Sequence, residues 1–290
     1  MANIYFANCL RARPSIYHQN LESFIIILLA FTHTIAMHNQ ISIVIISKNS
    51  DSTIQKTLQS TLGFDEVVVY DNGSDDGTLA IASEFDNVSL HQGSFMGFGP
   101  TKNLAVSLAR HDWIVSLDSD ETVTPELTEY LRQWEPDNNF VVGFVRRKNF
   151  FMGQYVKRGG WGNDWLLRVF NRTTHQFNDA PVHEKVDLSK QSIKQKLPYP
   201  IEHNAIQEIS QLLIKLEHYS EIRRTQGGKT FHPWFIVLRS LFAFFRSYII
   251  RAGIIDGWRG LVIAWNEADH VFYKYMKRYV DKVTRIEKNQ

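Results

Sequence analysis

Three short apolar runs, at 41–47, 66–70 and 113–117, are separated by stretches of helical spacing, and this alternation limits the possible folds more than any other feature. Ile-Ser-Ile-Val-Ile-Ile-Ser, Glu-Val-Val-Val-Tyr and Trp-Ile-Val-Ser-Leu are nearly continuous in apolar residues, as expected of strands covered on both faces. Between the first two, Ile54, Leu58 and Leu62 recur four apart, with Asp51 placed to cap the helix. Leu79, Ala82 and Phe85 mark a second helix, and Leu104, Ala105, Leu108 and Ala109 a third. The rhythm predicts an α/β fold with a mostly parallel sheet between helical layers. Ligands of such sheets bind beyond the carboxyl ends of the strands. Ser47-Lys48-Asn49, Asp71 and the pair Asp118 and Asp120 stand at such ends, so one crevice is expected to gather all three.

Asp118-Ser119-Asp120 follows the third run directly. In extended backbone, residues two apart point the same way, so both carboxylates are expected to leave the strand toward one spot. Converging carboxylates repel unless a positive charge lies between them, and Mg²⁺ or Mn²⁺ is the usual resolution. Such an ion completes its shell with water and substrate phosphates, which implies a phosphorylated ligand. The single cysteine, Cys9, excludes an internal disulfide and metal sites built on thiolates.

Ile-Ser-Ile-Val-Ile-Ile-Ser-Lys-Asn (41–49), Asp-Asn-Gly-Ser-Asp-Asp-Gly-Thr (71–78), Gly-Pro-Thr-Lys-Asn-Leu-Ala (99–105) and Trp-Ile-Val-Ser-Leu-Asp-Ser-Asp-Glu (113–121) together resemble the successive motifs of family two glycosyltransferases. Trp-Leu-Leu-Arg-Val-Phe (165–170) and Val-His-Glu-Lys-Val (182–186) narrow the resemblance to the bacterial branch of lipopolysaccharide core glucosyltransferases. The resemblance implies a single nucleotide-binding domain of the GT-A type with a mixed sheet. It also implies inverting transfer of a hexose, glucose first, from a UDP-sugar to a lipid A-core or similar glycolipid acceptor.

On that resemblance the donor contacts fall to Ser47, Asn49, Asp71, Lys102, Asp118 and Arg168. Asp71 would accept a hydrogen bond from the base, and as a residue beside Asn-Gly it also suits a turn. Asp118 would face ribose and metal, and Asp120 metal and diphosphate. Lys102 is either a point charge for the diphosphate or a solvated residue at a helix start. Arg168 pairs with the diphosphate or with a neighbouring carboxylate. Inversion needs a base for the acceptor hydroxyl. Glu184 is the first candidate, with His183 as a further metal ligand. Asp164 is the rival, behind a Gly159-Gly160-Trp161-Gly162 segment read as a flexible closing loop. His203 is read as structural.

Net charge is only +2, but 229–290 carries 11 Lys and Arg against 5 Asp and Glu. No nucleic-acid motif accompanies that charge, so no nucleic-acid partner is expected. The nearly apolar stretch 231–250 holds Arg239 and Arg246 seven apart, with Ser240 and Ser247 beside them. Two central arginines oppose spanning by about 5–7 kcal/mol. The expectation is a helix lying in the inner-membrane interface with both arginines toward headgroups, the alternative being a helix buried on the catalytic domain. Glycines at 253, 257 and 260 are expected to break the pattern before a last helix to about 282. The apolar segment 24–37 is too short to span comfortably, and Met37 leads straight into the first strand, so 1–36 is read as an N-terminal extension, a start-site artefact. The chain thus divides into 1–36, a transferase domain at 37–204 and a helical region at 205–290. The expected enzyme is cytoplasmic and peripheral on the inner membrane. Two other classes fit less well: a nucleotidyltransferase, whose glycine-rich signature Ser47-Lys48-Asn49-Ser50 lacks, and a non-catalytic membrane scaffold, which has no need for both acids of the D-x-D.

Overall fold

A mixed sheet carries the molecule. The computed structural model describes residues 41–179 and 184–288; the extension 1–36, the segment 24–37, Cys9 and His183 lie outside them. Among the described residues, 41–130 and those from 136 onward form one compact unit. In chain order the elements are β1 Ile41–Ser47, α1 Asp51–Ser60, β2 Glu66–Asp71, α2 Thr78–Ala82, β3 Val88–Gln92, α3 Phe98–Ser107, β4 Trp113–Asp118, β5 Glu121–Val123 and α4 Pro125–Arg132. There follow β6 Val141–Phe151, β7 Gln154–Tyr155, β8 Asp164–Asn171, β9 Ile193–Lys196, β10 Ile201–Ile206, α5 Ser210–Thr225, α6 Pro233–Phe245 and α7 Gly257–Lys288.

The strand order is β3-β2-β1-β4-β8-β6-β10-β5, with β7 and β9 both pairing with β6. β1, β2, β3 and β4 run parallel, as the continuous apolar runs predict. β8 enters antiparallel to both β4 and β6, which makes the sheet mixed. β1 and β2 are buried along their whole lengths. Ala105, Val106 and Ala109 meet Val44, Ile46, Val68 and Ile114 on one face of the sheet. α1 buries Ile54, Thr57 and Leu58, two of the three apolar positions read from the sequence, whereas Leu62 lies beyond its end and is exposed.

Asp51 does not cap α1. Ser50 occupies that position, and Asp76 supplies the cap from the next crossover, accepting from Asp51 N at 3.1 Å and from Thr78 N at 2.9 Å. One carboxylate thus starts two helices, a pairing that helical periodicity does not reveal. α2 stops at Ala82, so Phe85 falls in the turn after it.

A second core joins the end of β6 to the C-terminal helices through Phe151, Val156, Ala205, Ile206, Leu212 and Ile263. The segment 159–162, expected to be a flexible closing loop, is held down at its first residue and just before it. Asp256 accepts from Lys157 N at 3.3 Å and Arg158 N at 2.8 Å, and Gly159 N donates to Arg251 O at 3.0 Å. Gly260 lies inside α7 rather than breaking it, and a Cβ there would stand 1.8 Å from Gly253 O. The glycines at 159, 253 and 260 therefore permit close backbone approach. α6 continues through a π-helical turn, Arg246–Ile250, and the chain breaks before α7.

Candidate active site

The carboxyl ends of β1, β2 and β4 open on a crevice of about 780 Å³. β4 ends at Asp118, and Ser119-Asp120 forms the tight turn into β5, so strand alternation does not govern where Asp120 points. The two acids line the same crevice yet face different partners. Asp118 Oδ1 lies 3.0 Å from Lys102 Nζ and its Oδ2 2.7 Å from an Arg168 nitrogen. Asp120 Oδ2 lies 3.1 Å from His203 Nε2. The repulsion anticipated from sequence is relieved at Asp118 by two protein cations.

Lys102 is buried, 3% exposed, rather than solvated at a helix start. Its ammonium also reaches Glu184 Oε1 at 2.7 Å and rests 5.5 Å from the Phe177 ring centroid. Burial would lower its pKa, but Asp118 and Glu184 outweigh that and raise it. Arg168 is likewise raised against burial by Asp118 and Glu121, so of its two anticipated partners it holds carboxylates here. Burial pushes the Asp118 carboxyl up, yet Arg168 and Lys102 hold it well below the usual carboxylate range. Burial acts the same way on Asp120, and the His203 hydrogen bond lowers it.

Glu184 reaches the crevice because its loop is clamped at the neck. Asn103 of α3 pairs with both backbone groups of Phe177, at 2.8 Å each, and Phe177 bridges to Val186. Asn178 N donates to Lys185 O at 2.9 Å, which brings Glu184 over Lys102.

Other sequence-derived candidates stand elsewhere. Asp71 is fully buried, and its carboxylate accepts from Gly73 N at 3.0 Å, Ser74 N at 2.8 Å, Ser74 Oγ at 2.5 Å and Ser47 Oγ at 3.0 Å. It serves the turn, the second of its two anticipated roles, and Ser47, Lys48 and Asn72 line the crevice beside it. Asn49, in left-handed backbone at φ 49°, clasps Ser74 and Asp75 across the two crossovers and does not line the crevice. Asp164 is also outside the wall; it accepts from Arg147 at 2.7–2.8 Å and from Asn149 at 3.2 Å.

Several site residues escaped the sequence reading. Glu121, with no exposed surface, accepts from Arg168, Arg147 and the Asp118 backbone. Arg147 and His203 line the crevice, as do Lys215, His218 and Tyr219 of α5. The apolar run 140–145 leading directly into Arg146-Arg147 was the available signal for Arg147, and Glu121 adjoins the D-x-D directly. No signal marked the α5 residues, because their approach depends on how that helix docks.

Residues 42–189 match the family described as glycosyl transferase family 2, just over half of the chain. The chain belongs to that family. This glycosyltransferase is 25% identical over 240 residues to an uncharacterized glycosyltransferase of Rickettsia typhi, covering 77% of this chain and 81% of that one. It is 22% identical over 254 residues to the lipopolysaccharide core biosynthesis glycosyltransferase LpsC of Rhizobium meliloti, covering 81% and 93%. Among solved structures it is similar to TarS of S. aureus in complex with UDP-GlcNAc, at 13% identity and a TM-score of 0.42, covering 84% and 92%. Family membership and the mixed α/β sheet agree with the fold expected from sequence.

Proposed function

We propose that this glycosyltransferase moves a hexose, glucose first, from a UDP-sugar to a lipopolysaccharide-core or similar glycolipid acceptor with inversion. The carrying observation is the convergence of Asp118, Asp120 and Glu184 on one crevice at the strand ends. The donor nucleoside would lie along Ser47, Lys48 and Asn72, with Asp71 shaping the turn beneath it. Lys102 and Arg168 would exchange part of their carboxylate contacts for the diphosphate and stabilise the charge that develops on it.

The case for a divalent cation rests on donor chemistry. Among the described residues no three metal-type donors stand grouped, but Asp120 with His203 Nε2 at 3.1 Å offers an oxygen and a nitrogen donor on the crevice wall. Substrate phosphates and water would add to them. Asp120 would hold Mg²⁺ or Mn²⁺, with the His203 nitrogen adjacent and the Asp118 carboxylate beyond. When bound, the ion supplies charge neutralisation on the diphosphate.

Glu184 would remove the proton from the acceptor hydroxyl. The hydroxyl oxygen forms the new bond to the anomeric carbon while the bond to the diphosphate oxygen breaks, and the leaving group departs as UDP. Asp164, tied to Arg147 and Asn149, would hold Arg147 in place. The lipopolysaccharide acceptor draws support from the naming of the LpsC relative.

Membrane association would use α6. The helix and its π turn, Pro233–Ile250, make one 18-residue helix apolar enough by composition to cross a membrane. At about 27 Å it is marginal for a span. Trp234, Leu238, Leu241, Phe245 and Ile250 are exposed along it, and each would gain on the order of 1 kcal/mol in an interface. We read the enzyme as peripheral on the cytoplasmic face of the inner membrane, the side on which its sugar-nucleotide donor is supplied. The test is a donor panel, UDP-glucose and UDP-galactose first, assayed for hydrolysis and for transfer to extracted lipopolysaccharide core with Mn²⁺, Mg²⁺ or a chelator. UDP-glucose turnover that needs the metal supports the reading; no turnover with any sugar nucleotide overturns it.

A further inference from the structure

A second concavity of about 690 Å³ lies among α5, α6 and α7, within the size range of small-molecule sites. Its walls are apolar and aromatic, from Phe235, Leu238, Phe242 and Tyr275. Its polar groups are mainly cationic: Arg239 from α6, Arg246 from the π turn that continues it, Arg223 from α5 and Lys274 from α7. Among the described residues lining it there is no carboxylate. Arg239 is held against three rings, 5.0 Å from the Phe231 centroid, 5.7 Å from Phe235 and 5.3 Å from Tyr275. Stacking of that kind orders the guanidinium in advance of a ligand. His270, also in the wall, has its pKa lowered by burial and by Arg223, in keeping with a surplus of positive charge.

The sequence places Arg239 and Arg246 toward headgroups on an interfacial helix. In the fold both line this groove, while the exposed face of α6 beside it is apolar. The groove also adjoins the active crevice, since Tyr219 lines both. Burial raises the Tyr219 pKa, and the charges of Asp118, Asp120 and Glu184 raise it further.

We propose that this groove takes the lipid portion of the acceptor, an acyl chain against Leu238 and Phe242 and a phosphate against Arg239 and Arg246. The inference deepens the transfer reading given above and rests on it for the word acceptor. An apolar wall alone suits any hydrocarbon, but Arg239, Arg246 and Lys274 in a lining that holds no carboxylate among the described residues select an amphiphile with an anionic head. Continuity with the exposed face of α6 gives such a lipid a route from the bilayer, and Tyr219 marks the end at which its sugar would enter the crevice.

The experiment is calorimetric titration of the full chain with dodecyl phosphate below its micelle concentration, beside dodecyl maltoside and inorganic phosphate. Dodecyl phosphate should saturate one site, and both comparison compounds should bind at least about tenfold more weakly. R239Q/R246Q, and separately K274Q, should weaken it by about tenfold, with circular dichroism verifying the fold. Saturation should change the wild-type rate of UDP-glucose hydrolysis by roughly fivefold. Equal binding of dodecyl maltoside, or undiminished binding by both variants, overturns the inference. So does loss of phosphatidylglycerol vesicle binding by R239Q/R246Q with no saturable dodecyl phosphate site, which makes the arginines bilayer contacts only. Absence of hydrolysis of every sugar nucleotide in the donor panel by the wild type strikes the transfer reading alone; dodecyl phosphate binding then still decides the groove.

Discussion

Lys102 and Glu184 form a 2.7 Å ion pair that ties α3 to the loop after β8. The same ammonium lies 3.0 Å from Asp118, so one buried cation joins the carboxylate ending β4 to the candidate base. Replacing Lys102 by Met leaves two carboxylates facing each other. Removing one partner of a buried pair costs about 3–5 kcal/mol, and Asp118 is exposed enough that the lower end applies. Thermal melting should show that loss, and donor turnover should fall by about 10²-fold. A variant that melts and turns over as the wild type would mean the pair holds nothing in place.

The base is decided by comparing two isosteric changes. Glu184→Gln keeps size and loses basicity, so turnover should drop by roughly 10²–10⁴-fold with donor affinity little changed. Asp164→Asn should act on stability, by about 1–3 kcal/mol, because Arg147 loses part of its partner. Its turnover should stay within about tenfold of wild type. If Asp164→Asn abolishes turnover and Glu184→Gln does not, the roles are exchanged.

Metal dependence is read most directly from nucleotide binding. UDP should bind with measurable heat in the presence of Mn²⁺ and far more weakly after chelation. Asp120→Ala should remove the difference while leaving the melting temperature nearly unchanged, since Asp120 serves the crevice rather than the core. UDP binding equal with and without chelator removes the cation from the site.

Glu66 supplies a pH test away from chemistry. It is buried at the start of β2, and burial alone would raise its pKa, but hydrogen bonds from Ser42 and Arg110 and the Arg110 charge lower it below the ordinary 4.5. A carboxylate lowered on folding contributes stability at neutral pH, and that contribution is lost as pH falls from 4.5 through the folded value. Glu66→Gln should therefore melt lower than wild type at pH 7, with the gap narrowing below pH 4.5. A gap that is constant with pH refutes the ionic account.

Gly260→Ala tests the seat of the C-terminal helix. The added methyl would stand 1.8 Å from Gly253 O, a backbone atom with little freedom to retreat. Overpacking of this kind costs about 1–3 kcal/mol, to be measured by thermal melting. An unchanged melting temperature would show that α7 shifts freely against the Gly253 turn.

The local sequence determined the parallel half of this protein. Continuous apolar runs specify strands buried on both faces, and helical spacing specifies their covering layers. The D-x-D falls where a parallel strand ends, so a crevice there is legible from the order of the residues alone. Glu184 was legible through the resemblance of its motif, and its position depends on the Asn103 clamp on Phe177. The partners were not legible. Lys102 finds Asp118 from 16 residues away, Arg168 finds it from 50, and His203 finds Asp120 from 83. Spacing along the chain reports which face a side chain occupies within its own element, whereas an ion pair depends on how separate elements are brought together. For the same reason the arginines of α6 and its π turn were recognised as a face, and only the packing of α5 and α7 beside that face turned it into a groove.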